Sequence, residues 1–128
     1  MSAKILLIED DASTRKGLVV RLSANRYHMV CAQDAISAVD MTVKEKPDLI
    51  LLDLGLPGGD GYMVMKRLQS LASPVPIIVL SGRDPSLNRD HAIRAGAKVF
   101  LEKPADNEEL LAAIKQTLAG AKPRKPAS

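Results

Sequence analysis

Three consecutive acids, Glu9, Asp10 and Asp11, follow the apolar run "ILLI" at Ile5 to Ile8. Like charges this close raise one another's pKa unless a cation lies between them. A second apolar run, "LILL" at Leu49 to Leu52, ends in Asp53. A third, "IIVL" at Ile77 to Leu80, ends in Ser81, and a fourth, "VFL" at Val99 to Leu101, leads into Glu102-Lys103-Pro104. Clustered carboxylates suit Mg2+, a hard cation that takes one or two carboxylates together with phosphate oxygens and keeps several waters. Asp53 could then act as metal ligand and as nucleophile towards phosphorus, forming an acyl phosphate. Mg2+ on one side and Lys103 on the other would offset charge on the phosphoryl oxygens, with Ser81 donating a hydrogen bond to another of them. A carboxylate is already ionised at neutral pH, so this chemistry requires no general base. His28 and His91 have no partners at metal-ligand spacing.

These residues can meet only if the runs that carry them lie side by side. Each run has strand length, and continuous apolar runs suit strands covered on both faces of a parallel sheet. A weaker run, "MVCA" at Met29 to Ala32, supplies another strand. Between the runs lie stretches with helical spacing: Leu18 and Leu22; Ile36, Val39 and Val43; Met65 and Leu68; and Leu110, Ile114 and Leu118. Asp106 with Glu109 resembles a capping box opening the last of these helices. The β-α alternation, repeated five times, predicts an α/β fold with a doubly wound five-stranded parallel sheet. Ligands of such sheets bind beyond the carboxyl ends of the strands, which is where the acids, the hydroxyl and the ammonium fall. Asp11 comes one position later than its neighbours and is expected to start the following loop or to cap the first helix.

Composition narrows the function classes. At 128 residues the chain is long enough for one hydrophobic core. With one Phe, two Tyr and no Trp, that core must be aliphatic. Cys31 is the single cysteine, so no internal disulfide forms and a reducing cytoplasm is expected. The apolar run near the start is far too short for a signal peptide or a membrane span. The net charge is +3, but Lys122, Arg124 and Lys125 lie in "AKPRKPAS"; the other 15 basic residues balance the 15 acids. The basic excess therefore belongs to a Pro-rich tail or linker at residues 120–128, and the folded body at 1–119 is not expected to bind nucleic acid. "LPGGDG" at Leu56 to Gly61 lacks the glycine order of a P-loop and reads as a loop into the third helix.

Four stretches, "ILLIEDD", "DLILLDLGLPGGDG", "PIIVLSG" and "AGAKVFLEKP", taken in this order and spacing, resemble the receiver domain of bacterial two-component response regulators. The resemblance runs from about Lys4 to Leu118 and implies a (βα)5 flavodoxin-like fold. It implies Asp53 as phosphoacceptor, Asp10 as a direct Mg2+ ligand, Glu9 as a ligand through water, and Gly55 as a ligand through its backbone carbonyl. Ser81 would be the switch hydroxyl, Lys103 the lysine beside the phosphoryl group, and Phe100 the aromatic that turns inward on phosphorylation. Lys103-Pro104 resembles that family's cis peptide, which would aim the lysine inward. The implied partners are a sensor histidine kinase or phosphotransfer protein, and a downstream effector protein or an output domain outside these residues. Such a switch would at most hydrolyse its own phosphoryl group slowly.

Two departures qualify the resemblance. Gly58-Gly59 loosens the loop beyond Asp53, and Ala112-Ala113 stand where some DNA-binding members carry an arginine used in dimer contacts. The second point weakens the expectation of a homodimer on phosphorylation. Two other readings share parts of the pattern. A phosphatase of the haloacid dehalogenase type also uses an aspartyl phosphate and Mg2+, but places a second Asp two residues after the nucleophile, where this chain has Gly55. A flavodoxin-like binding module, or a receiver-like module working without phosphate, would not need the full set of acids, hydroxyl and lysine.

Overall fold

The computed structural model describes residues 2–55, 61–71, 74–82 and 85–120. Among them, strands and helices alternate: β1 (Lys4–Ile8), α1 (Ala12–Ala24), β2 (His28–Ala32), α2 (Ala35–Glu45), β3 (Leu49–Asp53), α3 (Gly61–Gln69), β4 (Ile77–Ser81), α4 (Pro85–Arg94), β5 (Val99–Glu102) and α5 (Asn107–Gly120). The strands form one sheet in the order β2-β1-β3-β4-β5, and each adjoining pair is parallel. The fold is the α/β parallel sheet that the alternation predicts, in the flavodoxin-like (βα)5 arrangement that the resemblance implies.

Side chains along a strand alternate between faces, so each apolar run serves two cores. Leu6, Ile8, Ile50, Leu52, Ile77, Val79 and Phe100 face α2, α3 and α4, packing with Ala38, Val64, Met65, Leu68 and Ala92. Ile5, Leu7, Leu49, Leu51, Ile78, Leu80 and Leu101 face α1 and α5, meeting Leu18, Leu22, Leu110, Ala113 and Ile114. This is why the runs are continuous and do not alternate with polar residues. Among the described residues, Phe100 is the one aromatic in the fully buried cores, with Tyr62 and Tyr27 packed at their margins.

One helix presents a different face from the one its spacing suggests. Ile36, Val39 and Val43 place a helix correctly, but Ile36 is 73% and Val43 58% exposed. The buried stripe of α2 is Ala35, Ala38 and Thr42, with Val39 at its margin. Small side chains bring this helix onto the sheet, and the Thr42 hydroxyl donates to the Ala38 carbonyl at 2.8 Å, so its burial leaves no unmet hydroxyl. In α5, Leu110 and Ile114 are buried and Leu118 packs at the edge. The start of that helix shows half of the expected capping box: Asp106 accepts the Glu109 amide at 3.2 Å.

The loop carrying Gly58-Gly59 and the tail beyond Gly120 lie outside the described residues. Among those described, no helix is long and apolar enough to cross a membrane.

Candidate functional site

Register sets the site. Ile8 of β1 is level with Leu52 of β3, which brings the next residues, Glu9 and Asp53, abreast at the carboxyl edge of the sheet. On the other side of β3, Asp53 is level with Leu80, so Ser81 leaves β4 one step beyond it. Ser81 is in turn level with Glu102 of β5, and its carbonyl accepts the Lys103 amide at 2.8 Å. The Lys103-Pro104 peptide is cis, as the resemblance implied.

Carboxylate oxygens of Glu9, Asp10 and Asp53 all lie within 4.8 Å of one another. Their surroundings differ: Glu9 is buried, Asp53 half-buried and Asp10 exposed. Lys103 spans the edge from β5, its ammonium 2.5 Å from Glu9 Oε1 and 3.6 Å from Asp53 Oδ1. The second Glu9 oxygen accepts the Asp11 amide at 3.2 Å. Asp53 Oδ1 also accepts the Gly55 amide at 3.2 Å.

Burial raises the Glu9 pKa, and the nearby Asp53 charge adds to it, against the opposing bonds from Lys103 and the Asp11 amide. Burial lowers the Lys103 pKa, but the bond to Glu9 and the Asp53 charge outweigh it, so the lysine is held in its charged form. Three carboxylates beside one ammonium leave an excess of negative charge. A divalent cation would offset it, and an all-oxygen donor set of mixed exposure suits Mg2+ with retained waters.

Asp11 belongs to the helix. Its side chain accepts the Thr14 amide at 2.8 Å and the Thr14 hydroxyl at 2.7 Å, so it is the N-cap of α1. The Thr14 hydroxyl and amide hold its pKa below the usual carboxylate value.

Phe100 lies in the core on the α4 side, 2% exposed. Arg89 from α4 covers it, with the guanidinium 5.2 Å from the ring centroid and Nη1 donating to the Phe100 carbonyl at 3.2 Å. Ser81 is 1% exposed. The structure thus gathers Glu9, Asp10, Asp53 and Lys103, with Ser81 and Gly55 adjoining them in the chain or the sheet and Phe100 beneath α4.

Arg15 was absent from the sequence reading. From the first turn of α1 it donates to the Glu9 carbonyl at 2.9 Å and the Asp10 carbonyl at 3.3 Å. The signal available in sequence is only an arginine a helical turn beyond the acids, which no motif distinguishes from a surface residue.

Comparison with known proteins shows the family. The response regulator receiver domain model matches residues 5–115. "Response regulator MprA" of Mycobacterium bovis is 39% identical over 123 residues, which is 96% of this chain and 54% of that protein. The chain therefore spans about half the length of the curated relatives it matches. Among solved structures, the BeF3-activated N-terminal receiver domain of Klebsiella pneumoniae RstA is 30% identical with a TM-score of 0.85, covering 90% of this chain and 97% of that one. The receiver domain of a Pseudomonas aeruginosa sensor histidine kinase, solved with magnesium coordinated in its active site cleft, is 27% identical with a TM-score of 0.86, covering 94% of this chain and 100% of that one. Sheet order, the acidic edge and a family match over nearly the whole folded body converge: the chain belongs to the response regulator receiver domains of two-component signalling systems.

Proposed function

We propose that this receiver takes a phosphoryl group on Asp53 from a histidine kinase or phosphotransfer protein, in a reaction that requires Mg2+. The observation that carries this is the Lys103 ammonium lying beside both Glu9 and Asp53 while Asp10 faces solvent.

A bound Mg2+ would supply Lewis-acid stabilisation of charge on the phosphoryl oxygens. Asp10 and Asp53 are the natural direct ligands, since both Glu9 oxygens already accept hydrogen bonds, from Lys103 and from the Asp11 amide. Glu9 would then act through a water, and the Gly55 carbonyl would complete the protein's share. The Asp53 carboxylate oxygen attacks phosphorus, the bond from phosphorus to the donor imidazole nitrogen breaks, and an acyl phosphate forms on Asp53. Lys103 offsets charge on one phosphoryl oxygen and the Ser81 hydroxyl donates to another. Ser81 lies on β4 and Phe100 on β5, so a shift of the hydroxyl towards the phosphoryl group would be felt under α4 through the packed Phe100. The face formed by α4, β5 and α5 would be read by an effector protein or an output domain, in the cytoplasm. Ala112 and Ala113 leave a homodimer on phosphorylation as the less favoured form of that readout.

Intact-mass spectrometry after incubation with acetyl phosphate tests the proposal. One added phosphoryl group is expected with Mg2+, and none without metal or in Asp53→Asn. Equal addition to the mutant would contradict it. Sustained turnover of small phosphomonoesters would favour a phosphatase instead.

A further inference from the structure

Arg15 does not touch the acidic side chains; it touches the backbone that carries two of them. A single guanidinium nitrogen bonds the consecutive carbonyls of Glu9 and Asp10, at 2.9 and 3.3 Å. Those carbonyls belong to the peptide planes on either side of the Asp10 Cα. Because a peptide unit is planar, fixing both carbonyls fixes both planes and so the direction in which the Asp10 side chain leaves the backbone. The base of the clamp is itself anchored. The Arg15 amide donates to the Asp11 carbonyl at 2.9 Å, and the Asp11 side chain caps the same helix through Thr14. The Glu9 amide donates to the Ala32 carbonyl at 3.1 Å, tying the start of this turn to β2. The turn is thus held from both ends, while the Asp10 carboxylate stays exposed.

We propose that Arg15 is a positioning residue for the divalent-cation site, clamping the two peptide planes around Asp10 so that its carboxylate is preset beside Asp53. The inference rests on the reading of this edge as a Mg2+ site. It also separates two effects of opposite sign. As a nearby positive charge, Arg15 would repel a divalent cation, so removing it would tighten binding. As a clamp, its removal would leave Asp10 to be ordered by the metal itself, so binding would weaken. Outer partners that hold a metal ligand in place commonly contribute 10- to 100-fold in affinity. The Arg15 charge is only half-buried, so salt still screens it in part and its repulsion weighs less.

The test is Mg2+ titration by calorimetry on the full chain, comparing wild type, Arg15→Met and Arg15→Lys, with urea midpoints measured on each. Arg15→Met is expected to weaken Mg2+ binding by about 10-fold. Arg15→Lys keeps the charge, but its ammonium ends one bond short of the Nη1 that makes both contacts, and it is expected to fall between the two. A fold defect alone would move the urea midpoint without an ordered change in affinity. Unchanged or tighter binding by Arg15→Met would overturn the proposal and leave Arg15 as a plain charge. If Arg15→Met does not fold, Arg15→Lys decides: wild-type affinity overturns the clamp, weaker binding at equal charge supports it. Wild type that binds no Mg2+ overturns this inference together with the metal-site reading; wild type that binds while both variants match it overturns this inference alone.

Discussion

At Glu9 burial and charge pull in opposite directions, and burial prevails over the opposing bond from Lys103. The carboxyl is 1% exposed and bonded to an ammonium that is itself 24% exposed. Breaking a wholly buried pair costs roughly 3–5 kcal/mol, and the partly wet lysine end brings the expectation for Lys103→Met to about 2–3 kcal/mol at neutral pH. The sign with pH follows from the raised Glu9 pKa: the folded state holds that proton more tightly, so its stability declines as pH rises above 4.5. Lys103→Met removes an interaction that lowers this pKa, so its stability deficit should widen between pH 4 and pH 7 in urea titrations. A deficit that stays constant would contradict the pairing. Asp34 behaves in the opposite sense. It caps α2, and the Ser37 amide and hydroxyl depress its pKa below 3.8. Its contribution is therefore present above that value and lost as pH falls below it, so the gap in urea midpoint between wild type and Asp34→Ala should close in strong acid. Glu9, Asp10, Asp53, Ser81 and Lys103 were legible because all lie within two residues of the end of an apolar run. Arg15 was not, because it acts through backbone carbonyls that any residue supplies.

The elements hold the site by close approach as much as by apolar burial. Gly61 opens α3 with its amide donating to the Leu54 carbonyl at 3.0 Å, one residue after Asp53. A Cβ there would lie 2.6 Å from the Leu54 Cα, a contact with backbone that no rotamer change relieves. Gly61→Ala is accordingly expected to lower stability by about 1–3 kcal/mol in urea unfolding, the usual range for overpacking. A neutral effect would mean that β3 and α3 can separate freely at this point. Gly96, between α4 and β5, has φ of 118°, where a side chain is strained. Strand positions were legible because apolar runs of this length have few alternatives between turn residues. The buried face of α2 was not legible because size, not hydropathy, decides it: Ala35 and Ala38 let the helix sit close, and Ile36 and Val43 are left outside. The cover that Arg89 gives Phe100 was likewise hidden, since it joins α4 to β5 by a contact with no sequence period.

Across the whole molecule, one sheet divides two cores whose residues alternate along the same strands. Leu51 belongs to the α1 and α5 side and Leu52 to the α2, α3 and α4 side, and both are 0% exposed. Truncating either to alanine should cost about 2–5 kcal/mol, depending on how far each core relaxes. Urea unfolding should remain a single transition in both variants, because the strands are shared; two transitions in either would contradict a single cooperative unit. The same sheet is the frame of the site, since its order places β1, β3, β4 and β5 side by side and their carboxyl ends deliver acids, hydroxyl and ammonium to one edge. Everything proposed for this edge turns on Asp53 being the residue that takes the phosphoryl group. The most direct measurement is borohydride reduction of protein treated with acetyl phosphate and Mg2+, followed by peptide mapping. Residue 53 is expected to be converted to homoserine, with Glu9 and Asp10 intact. Reduction at either of those acids, or a phosphoryl group added with residue 53 still aspartate after reduction, would contradict it.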